Sequence, residues 1–487
     1  MSGIDSVPLV RLQCNFTEKS AHLKRAQEVL DSLGQTNAKL ITKGNSMIRR
    51  LWNSFLVTQA LWGQRRLPFS SREQIAAERD RRVRNLVRFA ARHVPFYRQW
   101  FAENKTEPCA IRSAGDLERL PLLHKSEVQA APLQFRAESA RDAVLFYTSG
   151  STGRPLQVWH DRSSLLANIA YGERERAPLL RLCGGAFRPR ELHVTCETST
   201  LNKVTAFYAQ NLWRPVSPLR LIVSVMRPLE EIVETVNRYQ PDLLLAYGAW
   251  VSWFFKTVAA RRLQIHLPKV VVYVSESLSP WEREWIEQEF GIPVLSRYNA
   301  VECFKIGYFC ERRRGFHIHE DLCHVRICDE AGRTLPDGQT GQVVISNLVN
   351  HGTVLLNYCL GDTGSFSPEP CPCGRTFRLL NELVGRVHDF IVLTGGRLLH
   401  PFEVTQVIKV DHDVLQYQLV QHQLQQFTLT LVTVDEAAFE RAKTRVLPRL
   451  RALLSTESRI DVQQRRDFFR EPAGKFRAVL SHCPQPN

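Results

Sequence analysis

From residue 72 to about residue 384 the chain alternates short apolar runs with amphipathic stretches, and that alternation limits the possible folds more than any other feature. Strand-like runs at 143–147, 192–196, 219–225, 242–246, 270–274, 343–345 and 354–356 are interspersed with helical patterns such as 229–239 and 280–290. Strands that alternate with helices can cover both faces of a sheet, so the region predicts an α/β domain. From about residue 386 a smaller unit begins, with strand-like runs at 390–393, 416–420 and 428–432 and a helical run at 436–455. This pattern predicts an α+β lobe. The chain therefore divides into a basic helical extension (1–70), a large domain (71–384) and a small C-terminal domain (385–487). In the extension, 21–33 and 47–61 have helical spacing, and Gly34 and Gly44 interrupt it. Residues 67–71 predict a linker, with Ser70 or Ser71 capping the next helix.

Charge is uneven along the chain. Lys and Arg number 64 against 49 Asp and Glu, and the first hundred residues hold 18 basic but only 7 acidic side chains. Within 79–98, Val83, Leu86, Val87, Ala90 and Val94 fall at helical spacing with arginines between them, and Pro95 is expected to end the pattern. The basic outer face of a packed helix accounts for the surplus, and an anionic partner such as nucleic acid is the minority reading. No run approaches the roughly 18 apolar residues of a membrane span. The nearest, 243–255, contains Gly248 and Ser252. No basic start followed by an apolar core marks a secretory leader, so the twelve cysteines are expected to be reduced thiols in the cytoplasm, some of them on a metal.

The most informative segment follows the 143–147 run. Thr148, Ser149, Gly150, Ser151, Thr152 and Gly153 come in succession before Arg154 and Pro155. Small residues let backbone approach an anion, and hydroxyls and N–H groups can surround phosphate oxygens. The lysine of a Walker A loop is missing, so a different phosphate cradle is expected, with a flexible Ser/Gly connector as the alternative.

TSGSTGRP resembles the phosphate loop of the adenylate-forming (ANL) superfamily. Four more segments match in order. Tyr298 to Glu302 is similar to its Y-G-x-T-E motif, and Tyr358 to Asp362 to Y-x-x-G-D. Gly385 to Asp389, with Gly395 and Pro401-Phe-Glu403, resembles the hinge segment, and Pro472 to Arg477 resembles the terminal G-K segment. The stretches at 91–97, 120–125, 241–247 and 371–375 look most like the phenylacetate–CoA ligase branch, which includes CapK-like proteins. The resemblance implies a large N-terminal domain of β-sheets flanked by helices and a small mobile C-terminal domain. It also implies ATP-dependent conversion of a carboxylic acid to an acyl-adenylate with release of pyrophosphate, then thioesterification to CoA. An amine or hydroxyl acceptor, AMP transfer, or a nucleotide binder without catalysis are the alternatives.

The resemblance also implies residue roles. Thr148 to Gly153 would hold the β- and γ-phosphates of ATP, and Glu302 would ligate Mg²⁺. Asp362 would accept hydrogen bonds from the ribose hydroxyls, with Arg386 near the ribose and the domain junction. Lys475 would bridge the substrate carboxylate and the α-phosphate. Ser275 and Glu276 would face adenine, and Tyr298 and Asn299 belong to the same nucleotide site. The hinge would lie at 386–388, and Gly395 would shape a channel for the thiol. Three positions depart from the family pattern: Asn299 stands for glycine, Val301 for threonine and His388 for aspartate. Such changes suit an altered acceptor or a slow enzyme. The C-x-C knuckle Cys371-Pro-Cys373-Gly374 lets two thiolates face one ion, and Cys310 and His317 could complete a tetrahedral Zn²⁺ site, with Cys303, Cys323 or His319 as substitutes. His160 and His193 are expected to be ordinary histidines. Tyr247, Trp250, Trp253 and Phe254 could line a pocket for an aromatic acid or form core. A homodimer is among the expected assemblies.

Overall fold

The computed structural model describes residues 46–148, 155–186, 188–213, 218–381, 383, 385–386, 390–399, 401–465 and 476–483. Its largest sheet has eight strands. A parallel set of five starts at one edge and runs in the spatial order Leu219–Ser224, Arg190–Thr195, Leu243–Tyr247, Val270–Val274, Val294–Tyr298. The middle strands are apolar at almost every position because both faces are covered. Alternate residues feed different cores. Leu243, Leu245, Val270 and Val272 join one, and Leu244, Ala246, Val271 and Tyr273 the other. Tyr247, Trp250, Trp253 and Phe254 belong to the second core, each under 10% exposed, so they pack the fold.

Helix Arg72–His93 starts at Ser71, whose side chain forms a reciprocal capping box with Gln74. Val83, Leu86, Val87 and Ala90 on its inner stripe are buried, as is Val94 just beyond. The helix stops at His93, just before Pro95, as expected. Pro95 then opens a second helix, Pro95–Glu103, at the first position, where a missing N–H costs nothing. The apolar run 354–356 is not the expected strand. It is a buried irregular segment held by Val354 N to Phe135 O (2.9 Å) and Leu356 N to Tyr97 Oη (2.9 Å). An apolar run at a buried loop has no period that separates it from a short strand.

A second sheet, of four antiparallel strands, contains Cys323–Cys328, Gly341–Asn347, Tyr358–Gly364 and Gly385–Arg386. The small C-terminal unit builds its own core between the sheet of Gln416–Gln423, Gln426–Val432, Arg459–Arg465 and Val479–Ser481 and the helices Pro401–Lys409 and Glu436–Leu454. Its Leu415 and Val432 also reach the core around Phe254 in the large unit. Helix Ser46–Leu61, within the expected extension, packs Val57 against Phe146, Leu165 and Phe207 of the large unit. The 21–33 pattern lies outside the described residues.

Candidate active site

Chain segments with the expected nucleotide motifs leave the sheet at the carboxyl ends of its parallel strands, where ligands bind in open α/β sheets. Tyr298 ends one strand and begins the turn that carries Glu302. Ser275 and Glu276 follow the neighbouring strand, with Ser275 in the left-handed region at φ +67°. Gly248 follows the next and opens helix Gly248–Ala260. A Cβ there would collide with the carbonyl of Glu276 and lie 2.9 Å from that of Ser277, so only glycine lets these two strand ends meet. Glu276 uses both carboxylate oxygens: one accepts from Ala249 N (3.1 Å) and the other from Phe476 N (2.8 Å). A chain segment from the C-terminal unit thus docks on the rim of the large one.

The phosphate-loop segment joins two antiparallel strands, Val144–Tyr147 and Gln157–His160, in register Tyr147 to Gln157. It therefore forms a hairpin connection, whereas a Walker loop leads from strand to helix. Thr148 closes its base twice. Its N–H donates to Leu156 O (3.0 Å), and its hydroxyl accepts from Leu156 N (3.0 Å). Ser149, Gly150, Ser151, Thr152 and Gly153 lie outside the described residues, as do Lys475, the side chain of Arg386 and His388.

The two tyrosine–carboxylate motifs brace each other. Tyr298 Oη donates to Asp362 Oδ2 at 2.7 Å, and Tyr358 Oη donates to Glu302 Oε1 at 3.3 Å. The tyrosine of each motif therefore holds the acid of the other. Burial, reinforced by the adjacent carboxylate, pushes both phenols well above their ordinary range, so each remains a donor. Glu302 and Asp362 are nearly buried. Asn347 Nδ2 fixes Glu302 through its carbonyl (2.9 Å). Gly361 precedes Asp362 at φ +85°, a conformation that favours glycine. Asp362 pairs in register with Arg386, the start of the expected hinge.

The turn between Tyr298 and Lys305 is held from three further sides. Asn299, which replaces glycine, donates its amide nitrogen to the carbonyls of Tyr298 (3.0 Å) and Phe304 (2.7 Å) once the amide is turned so that donor faces acceptor. His160 donates Nε2–H to Val301 O (2.7 Å) and stacks on Phe304 at 4.0 Å. Burial lowers its pKa to about 4, so the ring is neutral. His160 is buried as expected, yet it also positions the residue beside Glu302. Lys305 pairs with buried Glu175 (2.7 Å), which Arg297 and His319 also face. Behind them Arg174 grips Asp321 with two bonds (2.6 and 2.9 Å), both side chains fully buried. Sequence reasoning missed this charged layer. Its one local trace is the polar run His317-Ile-His-Glu-Asp321 among apolar strands.

A second cluster brings together Cys310, His317, Cys371 and Cys373, with all ligand atoms within 4.8 Å of one another. Cys310 follows strand Gly307–Phe309, and His317 lies in strand Phe316–Ile318. Pairing of Leu379 with His317 draws in the loop with both other cysteines. Cys310 Sγ and Cys371 Sγ are 3.7 Å apart, and Cys373 Sγ lies 3.4 Å from His317 Nε2. A tetrahedral ion with bonds of about 2.3 Å to sulfur and about 2.05 Å to nitrogen needs separations of about 3.8 and about 3.6 Å, so the donor set fits zinc. Arg312 N and Arg375 N donate to the sulfurs of Cys310 (3.3 Å) and Cys373 (3.5 Å). The substitutes are engaged elsewhere: Cys303 interacts with Cys323, and His319 with Glu175.

Comparison with known proteins agrees with this geometry. The family described as AMP-binding enzyme matches residues 98–350, just over half of the chain. Phenylacetate-coenzyme A ligase of Thermus thermophilus is 25% identical over 370 residues, covering 72% of this chain and 78% of that one. The enzyme of the same name from Escherichia coli is 23% identical over 364 residues, covering 72% and 80%. Among solved structures, 2-hydroxyisobutyryl-CoA ligase in its postadenylation state shares the fold with a TM-score of 0.65 at 20% identity, covering 83% of this chain and 90% of that one. No described helix is long and apolar enough to cross a membrane. With its two tyrosine–carboxylate motifs bracing each other, the chain belongs to the AMP-binding enzyme family.

Proposed function

We propose that this chain activates a carboxylic acid with ATP and passes the acyl group to the thiol of CoA. A carboxylate oxygen attacks the α-phosphorus, the bond to the β-phosphate breaks, and pyrophosphate leaves. The thiol sulfur then attacks the acyl carbon, AMP departs with the carboxylate oxygen, and the thiol proton passes to solvent. The reciprocal brace of Tyr298 on Asp362 and Tyr358 on Glu302 carries the proposal. It fixes two carboxylates, one suited to a pair of ribose hydroxyls and one to Mg²⁺. Mg²⁺ at Glu302 would neutralise phosphate charge. Positioning and fixed charge are what such a displacement needs most.

Lys475 would meet the substrate carboxylate and the α-phosphate. The bond from its neighbour Phe476 to Glu276, on the rim that begins with Ser275, supports that role. Thr148 to Gly153 would cradle the outer phosphates, and Arg386 would mark the hinge about which 385–487 turns against 71–384. Gly395 and Gly396, both with positive φ and open space around them, form the turn that would admit the pantetheine arm. Cys310, His317, Cys371 and Cys373 would hold a structural Zn²⁺ that ties the edge of the large sheet to the 371–375 loop. The location consistent with reduced thiols is the cytoplasm.

The test is carboxylate-dependent ATP–pyrophosphate exchange over a panel of acids beginning with arylacetates, followed by addition of CoA. Exchange followed by thioester formation is expected, and Lys475→Ala should lower exchange by about 10²–10³-fold, the cost of a lost oxyanion donor. No exchange with any acid would refute the proposal. Adenylate without thioester would reassign the acceptor.

A further inference from the structure

Helix Ser46–Leu61 has two apolar sides, and among the described residues only one of them is packed. The inner side is fixed by more than packing. Arg50 donates to Leu212 O through Nε (3.0 Å) and Nη2 (2.8 Å), and Asn53 Nδ2 donates to Asn211 O (2.9 Å). Val57 is buried against Phe146 and Leu165. The helix cannot roll to bury its other side without breaking these bonds. That other side carries Met47, Ile48, Leu51, Trp52 and Phe55, each 44–65% exposed, and Trp62, just past the helix end, is 73% exposed. At 100° per residue those on the helix fall within about 140° of arc. Trp52 and Phe55 stack on each other in the open, with ring centroids 5.6 Å apart. Exposed apolar stripes of this kind mark a docking surface.

The flanking charge indicates what docks. Between Ser46 and Arg72 there are four further arginines and no acidic residue; Arg50 is held inward on Leu212 O and Arg65 pairs with Glu173 (2.8 Å). Arg49 and Arg66 are exposed. Two tryptophans, a phenylalanine and aliphatic side chains bordered by arginine are the composition of a helix that lies in a bilayer interface, with indoles at headgroup depth and cations against anionic lipid. A second copy fits the stripe less well. A 16-residue helix is about 24 Å long and about 10 Å wide, and its outer face is well below the roughly 800 Å² per partner of a stable dimer. From the stripe and its basic border we infer that this helix seats the protein on an anionic phospholipid surface, without crossing it. The same helix backs Phe146 in the strand that leads into the phosphate loop, so the seat is rigidly tied to the nucleotide side of the large domain.

The test uses the full chain with vesicles of phosphatidylcholine alone and vesicles enriched in phosphatidylglycerol. Cosedimentation with the anionic vesicles, a blue shift of tryptophan emission and weakening by salt are expected. The double variant W52S/F55S and the single variant W62S should each lower the partition coefficient by about tenfold or more, since each deletes a large buried apolar group. Thermal stability and vesicle-free ATP–pyrophosphate exchange should not change, because these side chains are exposed and far from the nucleotide motifs in sequence. Lack of vesicle binding, or binding indifferent to these substitutions, overturns the inference. A dimer in light scattering that W52S/F55S dissolves would assign the face to a second copy. Strong shielding of the tryptophans from acrylamide in vesicle-free protein would assign it to residues 1–45. Either result also overturns it.

Discussion

Glu282→Gln tests the joint between the large and small units. Glu282 sits in helix Pro280–Phe290 and is about 1% exposed. Its carboxylate accepts from Ser252 Oγ, from Ser279 N (3.1 Å) and Oγ (2.8 Å), and from Lys409 Nζ of the small unit (2.7 Å), with Lys256 Nζ at 3.9 Å. Burial alone would raise its pKa. Lys409 and Lys256 outweigh burial and hold it at about 2, against an ordinary 4.5. That depression is worth about 3 kcal/mol of folding stability at neutral pH. A carboxyl depressed on folding contributes fully above its unfolded value, and the contribution is lost as pH falls from about 4.5 through about 2. Glutamine keeps the shape and the capping bonds but leaves two ammonium groups facing a neutral amide. Removing one partner of a buried pair costs about 3–5 kcal/mol. Lys409 is 17% exposed and can turn to water, so the lower end applies. Urea unfolding followed by tryptophan fluorescence should give a wild-type advantage of about 3 kcal/mol near neutral pH and about 2 near pH 3.5, narrowing further with acid. An advantage under about 1 kcal/mol near neutrality, or one that acid does not narrow, would refute the reasoning.

Three other outcomes follow from the same coordinates. Lys256 shares one carboxylate with the closer Lys409, so burial lowers its pKa to about 8; wild-type stability should therefore rise between pH 8 and about 10.5 as the unfolded chain alone keeps the proton, and K256M should flatten that rise in the same unfolding experiment. H160F keeps the stack on Phe304 but abandons the Val301 carbonyl, and should lower kcat for pyrophosphate exchange by about tenfold with a stability loss of about 1–3 kcal/mol; unchanged kcat would remove its positioning role. C371S should abolish stoichiometric zinc in metal analysis of purified protein and lower Tm; absence of zinc from the wild type would withdraw the metal assignment.

The parallel core was legible because strands covered on both faces must be apolar at nearly every position. Runs such as 270–274 and helical patterns such as 229–239 and 280–290 kept the expected bounds. The expectation failed where periodicity carries no information. The run 354–356 is buried without being a strand. The cysteine–histidine set was named from residue types, but its choice over Cys303, Cys323 and His319 needed the pairing of Leu379 with His317.

The α/β class is written along the chain in residue type and local spacing, and the order of the motifs and the chemistry expected of each acid follow from the family resemblance those motifs carry. Only the tertiary structure decided that Tyr298 holds Asp362 while Tyr358 holds Glu302, that His160 fixes the turn between them, and that the aromatic run after Tyr247 is core. Those contacts join residues 56 to 141 positions apart, and no local period records which distant strands a fold will lay side by side.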